Sequence, residues 1–203
     1  MFTGIVAATG SIRSSTRTDK GARVNVAAGG LDLSDVAVGD SIAVDGCCLT
    51  VVERDDDAFT VDVSRETLDC TTGFAVGRDV NLEKSLRLSD RLGGHLVSGH
   101  IDGVGAVSRL EPVGESWLLE VRAPQPLAKY LARKGSITVN GVSLTVNEVA
   151  GMSFQVNLIP HTLAATNLRQ LGPGSRVNLE VDMVARYVER LLEDGAGAPA
   201  VGK

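Results

Sequence analysis

The stretch Gly39-Asp40-Ser41-Ile42-Ala43-Val44-Asp45-Gly46-Cys47-Cys48-Leu49-Thr50-Val51 returns 95 residues later as Lys134-Gly135-Ser136-Ile137-Thr138-Val139-Asn140-Gly141-Val142-Ser143-Leu144-Thr145-Val146. Each copy sets an Asp-Gly or Asn-Gly pair between two short runs of alternating apolar character. A two-residue hairpin turn needs positive φ at both central positions, and these dipeptides tolerate it, so each copy reads as a β-hairpin. The same offset holds without a gap from Thr3–Thr72 to Ser98–Asn167, pairing Gly4 with Gly99, Phe59 with Phe154 and Thr67 with Thr162. After a two-residue shift, Val80-Asn81-Leu82-Glu83 matches Val177-Asn178-Leu179-Glu180. Self-similarity of this extent means one module built twice.

The module is strand-like. Ile42 and Val44, Leu49 and Val51, then Phe59, Val61 and Val63 alternate with polar neighbours, the period of a half-buried strand. Short strands with frequent turn signals predict an all-β fold, and closure into barrels removes the edges that two small modules would expose. The expected units are residues 1–97 and 98–182, joined near Ser85–His95 where Ser-Asp-Arg-Leu-Gly-Gly breaks the alternation. Short helical pieces are expected at Glu66–Cys70, Leu127–Lys134 and His161–Leu171. Over residues 183–193, Val184, Val188, Leu191 and Leu192 form one helical stripe, with Asp182 placed as an N-cap. A helix this short is marginal alone, so the stripe packs either on its own barrel or on equivalent helices of an oligomer. Residues 194–203 read as a disordered tail.

Composition narrows the class. Of 203 residues 43% are hydrophobic and 22% charged, a soluble globular balance. The longest run without Asp, Glu, Lys or Arg, Val149–Leu168, contains Gln155, Asn157, Pro160, His161 and Asn167, so no membrane span is expected. A net charge of −5 with no basic run argues against nucleic acid as a partner. Three cysteines without metal-ligand spacing and an opening Met1–Val6 stretch without signal-peptide character fit a reducing cytoplasm. There is no phosphate-binding glycine loop, HExxH, CxxC or Gly-x-Ser-x-Gly. With one Trp, two Tyr and four Phe, a flat ligand has few protein rings to stack on.

Three segments recur in both copies and leave backbone donors and acceptors accessible beside small and hydroxyl side chains, which suits a heterocycle with amide-like edges. In the first copy they are Gly4-Ile5-Val6, Cys48-Leu49-Thr50 and Asp62-Val63-Ser64-Arg65-Glu66-Thr67. In the second they are Gly99-His100-Ile101, Ser143-Leu144-Thr145 and Asn157-Leu158-Ile159-Pro160-His161-Thr162. The differences are pointed: Ile5 becomes His100, Ala7 becomes Asp102, Cys48 becomes Ser143 and Glu66 becomes His161. Two pockets of one shape with different titratable groups would hold two similar ligands and treat them differently. A cysteine in an apolar strand is nevertheless more often packing than nucleophile, and Asp182 is by default a capping residue.

Taken together, Met1-Phe2-Thr3-Gly4-Ile5-Val6, Gly46-Cys47-Cys48-Leu49-Thr50-Val51, Gly93-Gly94-His95-Leu96-Val97-Ser98-Gly99-His100-Ile101, Gly141-Val142-Ser143-Leu144-Thr145-Val146 and Ile159-Pro160-His161-Thr162-Leu163 resemble riboflavin synthase of the alpha-chain type, built from two lumazine-binding repeats. The likeness runs from Met1 to about Leu192. It implies two tandem six-stranded antiparallel Greek-key barrels, a C-terminal helix and a homotrimer held partly by that helix. It further implies a transferase reaction, dismutation of two 6,7-dimethyl-8-ribityllumazine molecules to riboflavin and 5-amino-6-ribitylaminouracil, with no cofactor and no metal. The active site would form between the N-terminal barrel of one subunit and the C-terminal barrel of its neighbour. Association with a lumazine synthase shell stays open.

Carried over by motif, the first-barrel pocket comprises Gly4 to Val6, Cys48 to Thr50 and Asp62 to Thr67. The second comprises Gly99 to Ile101, Lys134, Ser143 to Thr145 and Asn157 to Thr162. His100 is the first candidate for proton transfer, an imidazole being suited to work near neutral pH. Cys48, Ser143 and Thr145 are candidates for positioning water or a ribityl hydroxyl, with Asp182 behind them. Phe2 either covers a bound ring or anchors the first strand. The alternative reading is a non-catalytic lumazine- or flavin-binding antenna protein of the same fold.

Overall fold

The computed structural model describes residues 1–196, with side chains through Glu193; apart from the last backbone turn of the C-terminal helix, the expected tail at 194–203 lies outside the described residues. Strands β1 (Ala8–Thr18), β2 (Gly21–Ala27), β3 (Ser41–Val44), β4 (Cys47–Arg54), β5 (Ala58–Ser64) and β6 (Asp79–Lys84), with helix α1 (Arg65–Cys70), form the first unit. They close as an antiparallel barrel in the order β1-β2-β5-β4-β3-β6, with Greek-key crossings from β2 to β3 and from β5 to β6. The second unit has β7 (Gly103–Val113), β8 (Ser116–Arg122), β9 (Ser136–Val139), β10 (Val142–Ala150), β11 (Ser153–Leu158), helix α2 (Pro160–Ala165) and β12 (Arg176–Val181). It closes in the same cycle, β10-β11-β8-β7-β12-β9. Helix α3 (Met183–Ala196) follows β12 directly. Among the described residues no helix is long and apolar enough to cross a membrane.

The quoted hairpins form as their sequences demand. Asp45 and Gly46 have φ of 47° and 81°, and Asn140 and Gly141 have 47° and 78°, the left-handed conformation of a tight hairpin turn. Closing six short strands requires sharp bending, and the chain bends at matching places in the two copies. Ladder irregularities fall between Ile12 and Ser14 and between Val107 and Arg109, and again between Val51 and Glu53 and between Val146 and Glu148. Inward residues fill each barrel: Val24, Ile42, Val51, Phe59, Val61 and Leu82 in the first, Val121, Ile137, Val146, Phe154, Val156 and Leu179 in the second. Phe59 and Phe154 are fully buried, each worth about 1.5–3 kcal/mol over an exposed ring.

The barrels meet turn to turn. A Cβ added at Gly46 would lie 2.8 Å from the Gly141 amide nitrogen, and one at Gly141 would lie 2.6 Å from that of Gly46, so only glycine permits this approach. Around the contact runs a buried polar seam that nearly obeys the repeat. The Asn81 amide N–H donates to Asp45 Oδ1, as that of Asn178 donates to Asn140 Oδ1. The Asn81 side chain donates across the seam to the Asn140 carbonyl, as that of Asn178 donates to the Asp45 carbonyl. Backbone N–H groups of Asn167 and Thr72, themselves repeat equivalents, donate to Asn81 Oδ1 and Asn178 Oδ1. Paired this way, the buried amides avoid the penalty of unmet polar groups.

Symmetry breaks at Asp45, whose counterpart is Asn140. Asp45 pairs with Arg78 at 2.9 Å and also accepts from the Asn167 side chain. Burial nevertheless pushes its carboxyl up from 3.8 to about 6, against the pull of Arg78 and its amide donors. A carboxyl whose pKa is higher folded than unfolded stabilises the fold fully below the unfolded value, and that contribution disappears as pH rises from 3.8 through 6. Asp45→Asn, which imitates Asn140 at the same turn, should therefore flatten the fall of thermal stability over that interval, measured as melting temperature against pH for both proteins.

Candidate active site

Residues 1–7 and 96–102, the leads into β1 and β7, are not part of either ladder, and each is gripped by a buried glutamate. Glu83 at the end of β6 accepts from the Thr3 N–H at 2.6 Å, the Thr3 hydroxyl at 2.7 Å and the Gly4 N–H at 3.0 Å. Glu180 at the end of β12 accepts the equivalent three from Ser98 and Gly99, at 2.7, 2.6 and 2.9 Å. Burial raises the pKa of both carboxyls, and the donors oppose that rise. Sequence reasoning does not single out either glutamate; the signal available is that each ends a matching Val-Asn-Leu-Glu run.

The gripped segments cross between barrels. The Gly4 carbonyl accepts the Ser143 N–H of β10 at 2.8 Å, and the Gly99 carbonyl accepts the Cys48 N–H of β4 at 2.8 Å. Gly4 and Gly99 have φ of 74° and 80°, and a Cβ on either would meet the facing Cβ of Ser143 or Cys48 at 2.6 Å. Val6 packs on the second core and Ile101 on the first. The structure thus brings Gly4-Ile5-Val6 to Ser143 and Gly99-His100-Ile101 to Cys48, exchanging the partners that grouping by copy assigns. Phe2 is fully buried against Ala43 and Val97, with Cys48 beside it, and bridges to Val97: it anchors the exchange.

On the first barrel, Cys48 and Thr50 of β4 share the outer face with Asp62 and Ser64 of β5, while Leu49 and Val63 point into the core. Ser64 caps α1 by accepting from the Thr67 N–H at 3.1 Å. Glu66 accepts from Cys70 Sγ, exposed Arg65 begins α1, and Asp62 is held by Arg23. The adjoining Cys47 is buried, and burial pushes its thiol up to about 12, leaving Cys48 as the cysteine on the outer face.

On the second barrel, Ser143 and Thr145 of β10 face outward beside Asn157 and Ile159, with Leu144 and Leu158 inside. Pro160 opens α2, followed by exposed His161 and half-buried Thr162. Lys134 is exposed and holds φ of 67° where the first copy has Gly39 at 99°. His100 is exposed at the crossing over the first barrel. Asp182 caps α3, its Oδ1 accepting the Val184 N–H at 3.0 Å.

The structure adds His95. Its Nδ1 lies 2.8 Å from Ser143 Oγ, and burial lowers its pKa despite the nearby Asp182 charge, so the neutral ring prevails at neutral pH. The linker between the barrels carries His95 to Ser143. Among the described residues no three metal-ligating side chains gather. The arrangement offers two outward sites rich in backbone and hydroxyl groups, one beside a thiol and the other beside a serine–histidine pair.

Fold and site define a tandem double-barrel protein with two matched outward sites. The Lumazine binding domain model matches residues 3–85 and 98–182. Riboflavin synthase from Photobacterium phosphoreum is 46% identical over 95% of this chain and 89% of its own length. That from Mycobacterium bovis is 44% identical over 95% and 98%. Crystal structures of LumP complexed with riboflavin and with 6,7-dimethyl-8-(1'-D-ribityl) lumazine superpose with TM-scores of 0.81 and 0.78, at 29% and 28% identity, each covering 89% of this chain and 99% of the other. The chain belongs to the riboflavin synthase family.

Glu180→Ala would strip three donors of a buried acceptor and release the lead that covers Cys48. Urea unfolding should show a loss of at least about 2 kcal/mol, as expected when several buried groups lose their partners.

Proposed function

We propose that the chain is a riboflavin synthase: one 6,7-dimethyl-8-ribityllumazine passes a four-carbon unit to a second, yielding riboflavin and 5-amino-6-ribitylaminouracil. One observation carries this reading. A single chain presents two sites of one design with unequal chemistry, Cys48 with His100 at one and Ser143 with His95 at the other. A reaction between two copies of one substrate needs both the likeness and the difference. The two substrates contain every atom of both products, so neither oxidant nor cofactor enters.

The 7-methyl group of one lumazine gives up a proton, the carbanion attacks the other ring, and eliminations complete the transfer. Holding two rings face to face can supply roughly 7–11 kcal/mol of the acceleration. Side chains then have protons to move. His100 serves the first site, while Ser143 with Thr145 and neutral His95 serve the second. Peptide groups of Asp62 to Thr67 and Asn157 to Thr162 read the pyrimidine edges. The working form in this reading is a homotrimer in the cytoplasm, in which the first barrel of one copy faces the second barrel of the next. Val184, Tyr187, Val188, Leu191 and Leu192 of α3 are all exposed in the single chain, and covering them is a reason to assemble.

Incubation with 6,7-dimethyl-8-ribityllumazine alone should give one riboflavin per two substrates consumed, and His100→Gln should lower kcat far more than lumazine affinity. Tight binding without turnover would indicate an antenna protein instead. Truncation before Met183 should convert the trimer to smaller species in sedimentation velocity.

A further inference from the structure

The lead that lies over the first barrel has an anchor that the other lacks. Asp102, two residues beyond His100, accepts the Val181 N–H at 2.7 Å and pairs with Arg186 of α3 at 2.8 Å. The same guanidinium lies 3.4 Å from the His100 carbonyl. The Asp102 N–H donates to the Leu179 carbonyl at 2.8 Å, so backbone and side chain both tie this point to β12 and the start of α3. The Asp102 side chain is 10% exposed and that of Arg186 39%, a half-buried pair less screened than a surface one. In the first copy Ala7 occupies the equivalent position, and β6 runs on into the linker with no helix behind it. Both leads share a glutamate and a backbone tie, the Ala7 N–H donating to the Leu82 carbonyl at 2.9 Å in the first copy, whereas lead 96–102 adds the side-chain link to α3. A second polar contact holds α3 farther along, where Glu189 accepts from Lys129 and Tyr130.

We propose that Arg186 and Asp102 form a positioning pair that fixes the His100 segment over Cys48, so that the first turn of α3, through Arg186, sets the geometry of the first-barrel site. This rests on the synthase reading above and extends it. The pair touches no reacting atom. It holds the peptide that carries His100 and, through the Gly99 carbonyl, the strand that carries Cys48. Because α3 also bears the exposed apolar stripe, the pair makes the first site responsive to what covers that helix. The site of one barrel is then completed by an element that follows the last strand of the other.

The test uses the full chain with Cys70→Ser as background, so that the half-buried thiol on α1 does not obscure Cys48. Asp102→Asn keeps an acceptor for the Val181 N–H while removing the charge, Arg186→Ala removes the partner, and Glu189→Gln weakens a separate contact of α3. Expected for Asp102→Asn and Arg186→Ala is a fall in kcat of about tenfold with KM changed less than about twofold, the signature of lost positioning. Arg186→Lys should recover part of the loss. The double variant should be no worse than the poorer single one, since the two groups act as a unit. Independently of turnover, alkylation of Cys48 by iodoacetamide, followed by peptide mass spectrometry, should quicken about threefold or more once the covering segment loosens. Glu189→Gln should leave both readouts at the wild-type level.

Wild-type Cys48 alkylation in folded Arg186→Ala would overturn the proposal, as would a Glu189→Gln variant that loses as much kcat as Arg186→Ala. If Arg186→Ala does not fold, folded Asp102→Asn decides by the same readouts. A wild-type chain that forms no riboflavin would overturn the synthase reading instead, and Cys48 alkylation would still judge the pair.

Discussion

Two buried carboxylates, Glu83 and Glu180, each receive three hydrogen bonds from the peptide lead of their own barrel. A buried carboxylate without donors would be strongly unfavourable, and peptide N–H groups at a glycine without an acceptor would be costly too. Each satisfies the other, and the geometry that results lays each lead across the opposite barrel. The exchange of Gly4 to Ser143 and Gly99 to Cys48, the burial of Phe2 and the composition of both sites follow from it. At each candidate site residues of one repeat meet residues of the other.

The seam between the barrels works on the same economy. Asn81, Asn178, Asn140 and Asp45 answer one another across a pseudo-twofold relation, so duplication produced an interface that meets its own polar groups. Departures from the symmetry are few and local. Asp45 stands for Asn140 and takes Arg78 as partner, Lys134 holds a left-handed conformation where Gly39 needs no side chain, and Asp102 replaces Ala7. The candidate sites differ where Cys48 corresponds to Ser143 and Ile5 to His100 in the repeat, one scaffold carrying unequal side chains.

Much of this was open to reading from the chain. Asp-Gly and Asn-Gly specify their hairpins locally, alternation specifies the inward face of each strand, and the repeat makes Cys48 and Ser143, Thr50 and Thr145, and Asp62 and Asn157 equivalent. The outward direction of these residues follows from the pleat. Membership of each site did not follow, because repeat equivalence describes how two modules resemble each other and not how they dock. His95 is a related case: it sits between the two repeated segments, and its partner Ser143 is 48 positions away. Phe2 reads equally as cover or anchor in the sequence, and its burial against Val97, 95 positions away, makes it the anchor.

The sequence by itself determined two closed barrels, a terminal helix with an unmet apolar stripe, and the side chains available for chemistry. These depend on short-range turn preferences and on a period of two, which neighbouring residues encode. Tertiary structure decided which lead meets which strand, which glutamates are buried, and that Arg186 reaches the segment carrying His100. Those choices rest on satisfying polar groups brought together from distant parts of the chain, and no local pattern records them.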